Sequence, residues 1–125
     1  MAYLGPVHRW DIFWADLDEV VGREQAGSRR PVLVVSNDAL NRSPLQLVAE
    51  IPLTSLEGKT RKFYPSEIRL PTGTIDPGVT PVAITHQVRT ISKLRLLAPA
   101  GRLENLEIRE QIEGAILGHF GIEVD

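Results

Sequence analysis

A short apolar run in the first third of the chain, residues 32–35 with the sequence VLVV, constrains the fold most strongly. It lies between Arg30-Pro31 and a Ser-Asn-Asp segment, which is typical of a buried central strand. Pro31 suits the start of such a strand, where a missing N–H donor is least costly. The polar stretch at residues 18–29 is then predicted to be a flexible flap. Arg30 lies where the flap meets the sheet, a position well placed to act on a ligand.

The rest of the first hundred residues reads as short strands. Residues 9–17 alternate without a cleanly polar side, which predicts a strand covered on both faces. Residues 45–53 form the clearest strand, with Glu50 and Thr54 predicted to point away from its apolar face. That apolar face comprises Leu45, Leu47, Ala49, Ile51 and Leu53. Further strands or extended segments are predicted at residues 63–70, 79–88 and 89–97, with a break at Gly101.

From residue 103 the apolar residues recur with the period of a helix. One face carries Ile108, Ile112, Ala115, Ile116 and His119, and four glutamates line the opposite side. His119 is therefore predicted to be packed in a structural role, and Gly121 is predicted to stop the helix. The whole pattern predicts a β-rich α+β fold, a small bent antiparallel sheet or partial barrel with a C-terminal helix. One domain is expected over residues 1–125, with a loose N-terminal segment at residues 1–8.

Composition narrows the class of protein. The chain has no cysteine, so disulfides and thiolate metal sites are excluded. No apolar run approaches the roughly 18 residues of a membrane span, and the N-terminus has no signal-peptide pattern, so a cytoplasmic protein is expected. The net charge of −2 is unevenly spread: residues 1–102 carry 13 Lys and Arg against 10 acids, and residues 103–125 carry one Arg against six. A locally basic surface is therefore compatible with the acidic total.

The residues available for chemistry favour phosphate binding. The three histidines, His8, His86 and His119, share no metal-ligand spacing, and the chain has no nucleophile elbow, phosphate loop or dinucleotide fingerprint. The remaining candidates are Arg, Thr, Glu and Gln. An arginine offers a planar fork of donors that matches phosphate oxygens, and a threonine hydroxyl adds an uncharged donor. We expect neither a metal nor a cofactor.

The stretch EQAGSRRPVLVVSN at residues 24–37 resembles the flap and central strand of the MazF/PemK-like toxins of bacterial toxin–antitoxin systems. Four flanking segments occur in the order of that family: DIFW at 11–14, PLTS at 52–55, QVRT at 87–90 and RL at 95–96. The resemblance covers the chain from about residue 10 to the final helix. It implies an SH3-like barrel with helices, usually assembled as a homodimer.

The resemblance also implies an activity. MazF-like toxins are sequence-specific, metal-independent endoribonucleases that cut single-stranded RNA, leaving a 2′,3′-cyclic phosphate and a 5′-hydroxyl. A cognate antitoxin neutralises them by laying a disordered segment over the RNA groove. Carried over by motif, the catalytic residues are Arg30 before the proline, Thr54 at the end of the P-x-T strand, and the flap residue Glu24 as an acid/base candidate. The expected substrate-binding residues are Gln25, Arg29, Ser55, Gln87 and Arg89.

Four features depart from the family pattern. Trp10 stands where glycine is common, and the flap is one residue longer, so Arg29 competes with Arg30 for the catalytic role; adjacency to Pro31 favours Arg30. His86 replaces an acid and could tune specificity, shuttle a proton or be inert, which we favour. The basic segment at residues 59–62 varies in length within the family. Two alternatives stay open: a same-fold binding module or gyrase-poison-like toxin, and a degenerate member whose groove is blocked by Trp10 or by the longer flap.

Overall fold

The computed structural model describes residues 2–18, 29–56 and 64–123. Within these ranges the chain forms seven strands, two α-helices and two short 3₁₀ helices. In chain order the elements are β1 (Asp11–Ala15), β2 (Arg30–Val34), α1 (Asp38–Arg42), β3 (Leu47–Ser55), β4 (Glu67–Arg69), β5 (Pro81–Ile84), a 3₁₀ helix (Thr85–Gln87), β6 (Arg89–Ser92), a second 3₁₀ helix (Lys93–Arg95), β7 (Leu96–Arg102) and α2 (Leu106–His119).

The strands form one antiparallel sheet in the order β4-β5-β3-β2-β1-β7, with β6 paired to β3 beside this path. The sheet is open rather than closed, and α2 packs against it. The predicted β-rich α+β class with a C-terminal helix is therefore confirmed. Within the described ranges, neither α-helix is long and apolar enough to span a membrane.

β3 is the strand through which the two parts of the sheet are joined. On one side, residues 50–52 pair with β2. On the other side, the first half of β3 pairs with β6 and the second half with β5. The 3₁₀ helix Thr85–Gln87 lies between β5 and β6 and divides what would otherwise be a single long partner strand. β3 therefore has neighbours along nearly all of its length.

Both faces of the central strands are covered by apolar side chains. Along β1, Ile12 belongs to one buried cluster, while Phe13 and Ala15 belong to a second cluster on the opposite face. β2 divides in the same way, with Leu33 in the first cluster and Val32 in the second. The prediction that the first strand is covered on both faces is confirmed.

Trp10 occupies an unusual backbone conformation. Its φ of 77° lies in the left-handed region that favours glycine, yet its side chain is only 6% exposed and packs in the first cluster. The guanidinium groups of Arg9 and Arg109 lie over the indole ring, 4.6 and 5.4 Å from its centroid. The backbone N–H of Trp10 donates to the Val34 carbonyl at 2.8 Å and thereby ties the turn to β2. Burial of the indole thus offsets the strain of the backbone.

The prediction for β3 is wrong at two places. The strand begins at Leu47, and Leu45 is 64% exposed instead of lying on an apolar face. Glu50, expected on a polar face, is completely buried. The reason is that Glu50 shares its face with Val48, which packs in the second apolar cluster. The alternation of side chains correctly assigned residues to the two faces of β3, but it could not show that both faces are buried.

The C-terminal helix is confirmed with two corrections. It begins at Leu106 because the side chain of Asn105 accepts a hydrogen bond from the Ile108 N–H at 3.0 Å and caps the helix. His119, predicted to be packed, is exposed and contacts the ring of Phe120 edge-on. Gly121 follows the helix end with a φ of 70°, as predicted for a helix stop.

The remaining strand boundaries are shorter than predicted. The edge strand at 63–70 is observed as β4, the segment at 79–88 contains β5 followed by a 3₁₀ helix, and 89–97 is divided by the second 3₁₀ helix. Gly101 does not break the chain, since β7 continues to Arg102. A Cβ at Gly101 would lie 2.5 Å from the Thr74 carbonyl oxygen. Gly101 therefore lets the loop at residues 71–80 rest directly on β7.

We predict that Trp10→Ala destabilises the protein by about 3 kcal/mol, since a buried aromatic side chain is lost. Trp10→Gly loses the same packing but relieves the left-handed backbone, so it should be the more stable variant by about 1 kcal/mol. Urea unfolding followed by circular dichroism measures both. Elsewhere glycine is usually the worse substitute, so a Gly variant no more stable than the Ala variant would contradict a left-handed residue 10.

Candidate functional site

The pairing of β2 with β3 brings two of the predicted catalytic residues together. Val32 pairs with Pro52 and Val34 with Glu50. The ladder ends at the Val32–Pro52 pair, and beyond it β2 begins at Arg30 while β3 continues through Thr54. The two residues therefore lie at the same end of the paired segment and line one cleft. Two residues 24 positions apart in the chain thus come together through strand pairing.

The backbones of Arg30 and Thr54 are both held by further strands. Arg30 pairs with Ala15 of β1, and Thr54 pairs with Val82 of β5. The side chains therefore start from the sheet and not from a loop, which favours a fixed geometry. This is the rigid junction that the sequence predicted at the end of the flap.

The two residues line one cleft of about 280 Å³. Arg29 and Ser55, both predicted to bind substrate, lie in the same cleft. The cleft therefore collects two guanidinium groups and two hydroxyl groups. Its full lining is Trp14, Arg29, Arg30, Pro31, Leu53, Thr54, Ser55, Ile75, Asp76, Val79 and Pro81. Such a set of donors suits an anionic ligand carrying several oxygens.

The two arginines have different surroundings. Arg29 is exposed, and its Cζ lies 4.7 Å from the centroid of the Trp14 ring. This cation–π contact holds the Arg29 side chain on an aromatic surface. Arg30 is partly buried, and its Nε is inaccessible to solvent. Because electrostatic interactions strengthen as water is excluded, the Arg30 charge acts in the less screened position.

Gln87 and Arg89 do not line this cleft. Gln87 ends the 3₁₀ helix between β5 and β6 and is partly buried. Arg89 begins β6, and its Nε donates to Oε1 of Glu50 at 2.8 Å. Two further predicted site residues, Glu24 and Gln25, lie outside the described residues, as does the basic segment at 59–62.

The buried pair of Glu50 and Arg89 is a feature that the sequence analysis missed. The residues are directly opposite one another in the β3–β6 ladder, and the Glu50 side chain is wholly buried. Burial raises the pKa of Glu50 to about 7, while the hydrogen bond and charge of Arg89 act in the opposite direction. A polar residue between apolar strand positions was the available signal, but its partner lies 39 residues further along the chain.

The histidines lie away from the cleft. His86 Nδ1 is 2.8 Å from the hydroxyl of Ser66, and its ring contacts that of Tyr64 edge-on. His8 lies beside Asp11, with an Nδ1–Oδ2 distance of 3.6 Å. Within the described residues no cluster of three or more His, Cys, Asp and Glu side chains is arranged to hold a metal ion.

Three further points separate the observed cleft from the predicted one. Trp10, considered as a residue that could block the groove, is buried beside α2 and does not line the cleft. Trp14 and Asp76 do line it, although neither was predicted as a site residue. Trp14 belongs to a predicted strand, where an aromatic side chain is expected to pack in the core. Asp76 belongs to a turn-rich segment, where an aspartate is common. No local signal in the sequence connected either residue to Arg30.

Comparisons with known proteins point in one direction. Residues 8–117 match the model of a family described as PemK-like, MazF-like toxin of type II toxin–antitoxin system. The chain is 33% identical to endoribonuclease MazF9 of Mycobacterium tuberculosis, over 93% of this chain and 98% of that protein. It is 35% identical to endoribonuclease EndoA of Bacillus subtilis, over 88% of this chain and 90% of that protein.

Solved structures have the same fold. The structure of MazF from Deinococcus radiodurans superposes with a TM-score of 0.74 at 25% identity, covering 94% of this chain and 99% of that chain. A mycobacterial endoribonuclease in complex with its cognate antitoxin gives a TM-score of 0.71 at 19% identity, covering 98% of this chain and all of the other. The latter likeness is one of fold alone.

The buried Glu50 predicts a pH dependence of stability. Its pKa in the folded protein, about 7, lies above the ordinary 4.5, so its stabilising contribution is complete below pH 4.5 and is lost as the pH rises through 7. Relative to Glu50→Gln, which cannot titrate there, the native chain should gain roughly 3 kcal/mol of unfolding free energy from pH 7 down to 4.5. Urea unfolding of both proteins at matched pH measures this difference. A difference that stays constant over that range would show that Glu50 titrates like an exposed glutamate.

Proposed function

The chain belongs to the PemK-like, MazF-like toxins of type II toxin–antitoxin systems, and we propose that it is an endoribonuclease that cuts single-stranded RNA in the cleft between β2 and β3. The single observation that carries this proposal is that Arg30 and Thr54 line one cleft. Its relatives MazF9 and EndoA are named endoribonucleases. The proposed site of action is the cytoplasm, where messenger RNA is available.

RNA supplies its own nucleophile, which is why this small set of side chains suffices. The ribose 2′-hydroxyl attacks the adjacent phosphorus, the bond to the 5′-oxygen breaks, and a 2′,3′-cyclic phosphate and a 5′-hydroxyl remain. Charge on the non-bridging oxygens grows as the attack proceeds. Arg30 and Thr54 would donate hydrogen bonds to these oxygens and stabilise that charge. This assignment requires no metal or cofactor.

Arg30 is the better candidate for the catalytic arginine. It belongs to β2 and lines the cleft with Thr54, whereas Arg29 precedes the strand and rests on the ring of Trp14. We therefore assign Arg29 to binding the RNA backbone at the rim of the cleft, where a stacked guanidinium also offers a surface to a base. Ser55 adds a hydroxyl beside Thr54.

The remaining predicted residues keep proposed roles. Glu24 is proposed as the acid or base that moves the proton of the 2′-hydroxyl or of the leaving group, and Gln25 as a neighbouring substrate contact. Gln87 and Arg89 are proposed to bind RNA beyond the cleft. In this arrangement the Glu50–Arg89 pair would fix the start of β6, and with it the position of Gln87.

The proposed protein partner is a cognate antitoxin whose disordered C-terminal segment folds over the cleft. A carboxylate-rich segment would compete with RNA for the two arginines, and binding coupled to folding covers a long surface with few residues. The structure of a mycobacterial endoribonuclease of this fold has been solved in complex with its cognate antitoxin. The MazE–MazF complex of Deinococcus radiodurans has also been solved. We further propose that the chain acts as a homodimer.

The alternatives receive less support from the site. A gyrase-poison-like toxin or binding module has no need for Arg30 and Thr54 in one cleft. A degenerate groove blocked by Trp10 is not supported, because Trp10 is buried and does not line the cleft. The other block considered, the longer flap, lies at residues 19–28 outside the described residues. A nuclease explains why Arg30 and Thr54 line one cleft and why Trp10 lies outside it.

We predict that the purified protein, with any antitoxin removed, cuts a long unstructured RNA in excess EDTA at a recurring short sequence. Arg30→Ala and Thr54→Ala should each lower the rate by about 10² or more, because each removes a preorganised donor. Arg29→Ala should have a smaller effect. Sequencing the cut ends and testing them for cyclic phosphate gives both rate and chemistry.

The matched control is Arg42→Ala, which removes an exposed arginine from α1, outside the cleft. It should cut at the native rate. Failure of the native protein to cut any RNA would contradict the nuclease. Activity that survives Arg30→Ala but not Arg29→Ala would assign the catalytic role to Arg29.

A further inference from the structure

The cleft contains a carboxylate that the proposed mechanism does not use. Asp76 lines the cleft together with the two arginines and the two hydroxyl residues. Within the described part of the chain, its carboxylate makes no hydrogen bond or ion pair. Several other acidic side chains have partners: Asp11 pairs with Arg102, Asp38 accepts a hydrogen bond from the Arg9 N–H, and Glu50 pairs with Arg89. Asp76 is an exposed residue of the cleft lining, so its two acceptor oxygens are available to a ligand bound there.

Asp76 is held in place by the folding of its loop. The N–H of Val79 donates to the Asp76 carbonyl at 3.2 Å, and the N–H of Gly73 donates to the Val79 carbonyl at 2.9 Å. The loop rests on β7, because Gly101 leaves no Cβ between the strand and the Thr74 carbonyl. The neighbouring Ile75 packs against the first apolar cluster. The backbone that carries the carboxylate is therefore preorganised.

Charge decides which part of an RNA this carboxylate can face. A phosphate bound by Arg30 and Thr54 would be repelled by a carboxylate at the same point. Asp76 must therefore meet the base or the ribose. It has the apolar side chains of Ile75 and Val79 beside it, and the ring of Trp14 lines the same cleft. Apolar and aromatic walls with one polar group suit an unstacked base, which proteins recognise by stacking and by hydrogen bonds to its Watson–Crick edge.

On the premise that the proposed nuclease function holds, we propose that Asp76 reads the Watson–Crick edge of a guanine next to the cut bond. A carboxylate has two adjacent acceptors and no donor. Guanine has two adjacent donors on that edge, N1–H and the N2 amino group, so both oxygens are satisfied at once. Adenine and cytosine each place an acceptor beside their amino group, and uracil flanks its N3–H with two carbonyls. Those three bases would leave one oxygen facing an acceptor.

The test is Asp76→Asn, which replaces one acceptor by a donor at nearly constant size. An amide side chain offers one donor and one acceptor, which match the amino group and the adjacent ring acceptor of adenine and of cytosine. The native protein should select guanine at one position of a randomised single-stranded RNA library, and Asp76→Asn should lower that selection and favour adenine and cytosine at that same position. Bound and cut fractions are sequenced separately, so recognition is measured whether or not cleavage occurs.

A second measurement uses inosine, which lacks only the N2 amino group of guanine. At the selected position inosine should weaken binding to the native protein about 10-fold or more, since one hydrogen bond to a charged group is lost. The control variant is Glu110→Gln, which neutralises an exposed acid on α2 and should leave the selected sequence unchanged.

These experiments distinguish a wrong assignment of Asp76 from a wrong assignment of the nuclease activity. An unchanged preference in Asp76→Asn, or equal binding of guanine and inosine, would overturn the assignment of Asp76 while the cleavage reaction stands. Loss of all cleavage in a folded Asp76→Asn, with its bound library unchanged, would also overturn it and place Asp76 in the chemistry instead. Guanine selection in the bound fraction without any cutting would support recognition and contradict the nuclease.

Discussion

The pairing of β3 on both of its sides is the constraint on which the site depends. β3 is paired with β2 on one side and with β6 and then β5 on the other. Its C-terminal end is therefore not a loose strand end, although it opens onto the surface. Thr54 and Ser55 start from a backbone held by β5, and Arg30 starts from a backbone held by β1. The cleft exists because two fixed strand ends meet beside the 71–80 loop.

The arginines lie in different parts of the fold, and only some of them line the cleft. Arg89 is bound to the buried Glu50, Arg102 to Asp11, and Arg95 to the carbonyls of Asp16 and Asp18. Arg29 and Arg30 line the cleft. A count of basic residues could not make this distinction, since the whole chain has a net charge of −2. The local arrangement, and not the total charge, favours an anionic substrate.

The sequence predicted the features that depend on residues close together in the chain, and it missed those that depend on residues far apart in the chain. The strands, the two covered faces of β1 and the terminal helix are encoded in short periodic patterns, and these were predicted. Glu50 was misassigned because alternation does not reveal whether a polar residue has a buried partner across a ladder. His119 was misassigned because helical period says nothing about how far the neighbouring sheet extends. The loop that carries Asp76 rests on β7 where Thr74 meets Gly101, and no local pattern records that contact. Arg30 and Thr54 were assigned through the resemblance, while their proximity is a result of strand register.

The measurement that tests the account most directly is a crystal structure of the protein with an RNA oligonucleotide carrying a single 2′-deoxy substitution at the cut site. Removing the nucleophile leaves the chain intact and the scissile phosphate in place. This phosphate should lie within hydrogen-bonding distance, about 3 Å, of both the Arg30 guanidinium and the Thr54 hydroxyl. A scissile phosphate bound on another face of the protein, with the β2–β3 cleft empty, would contradict it.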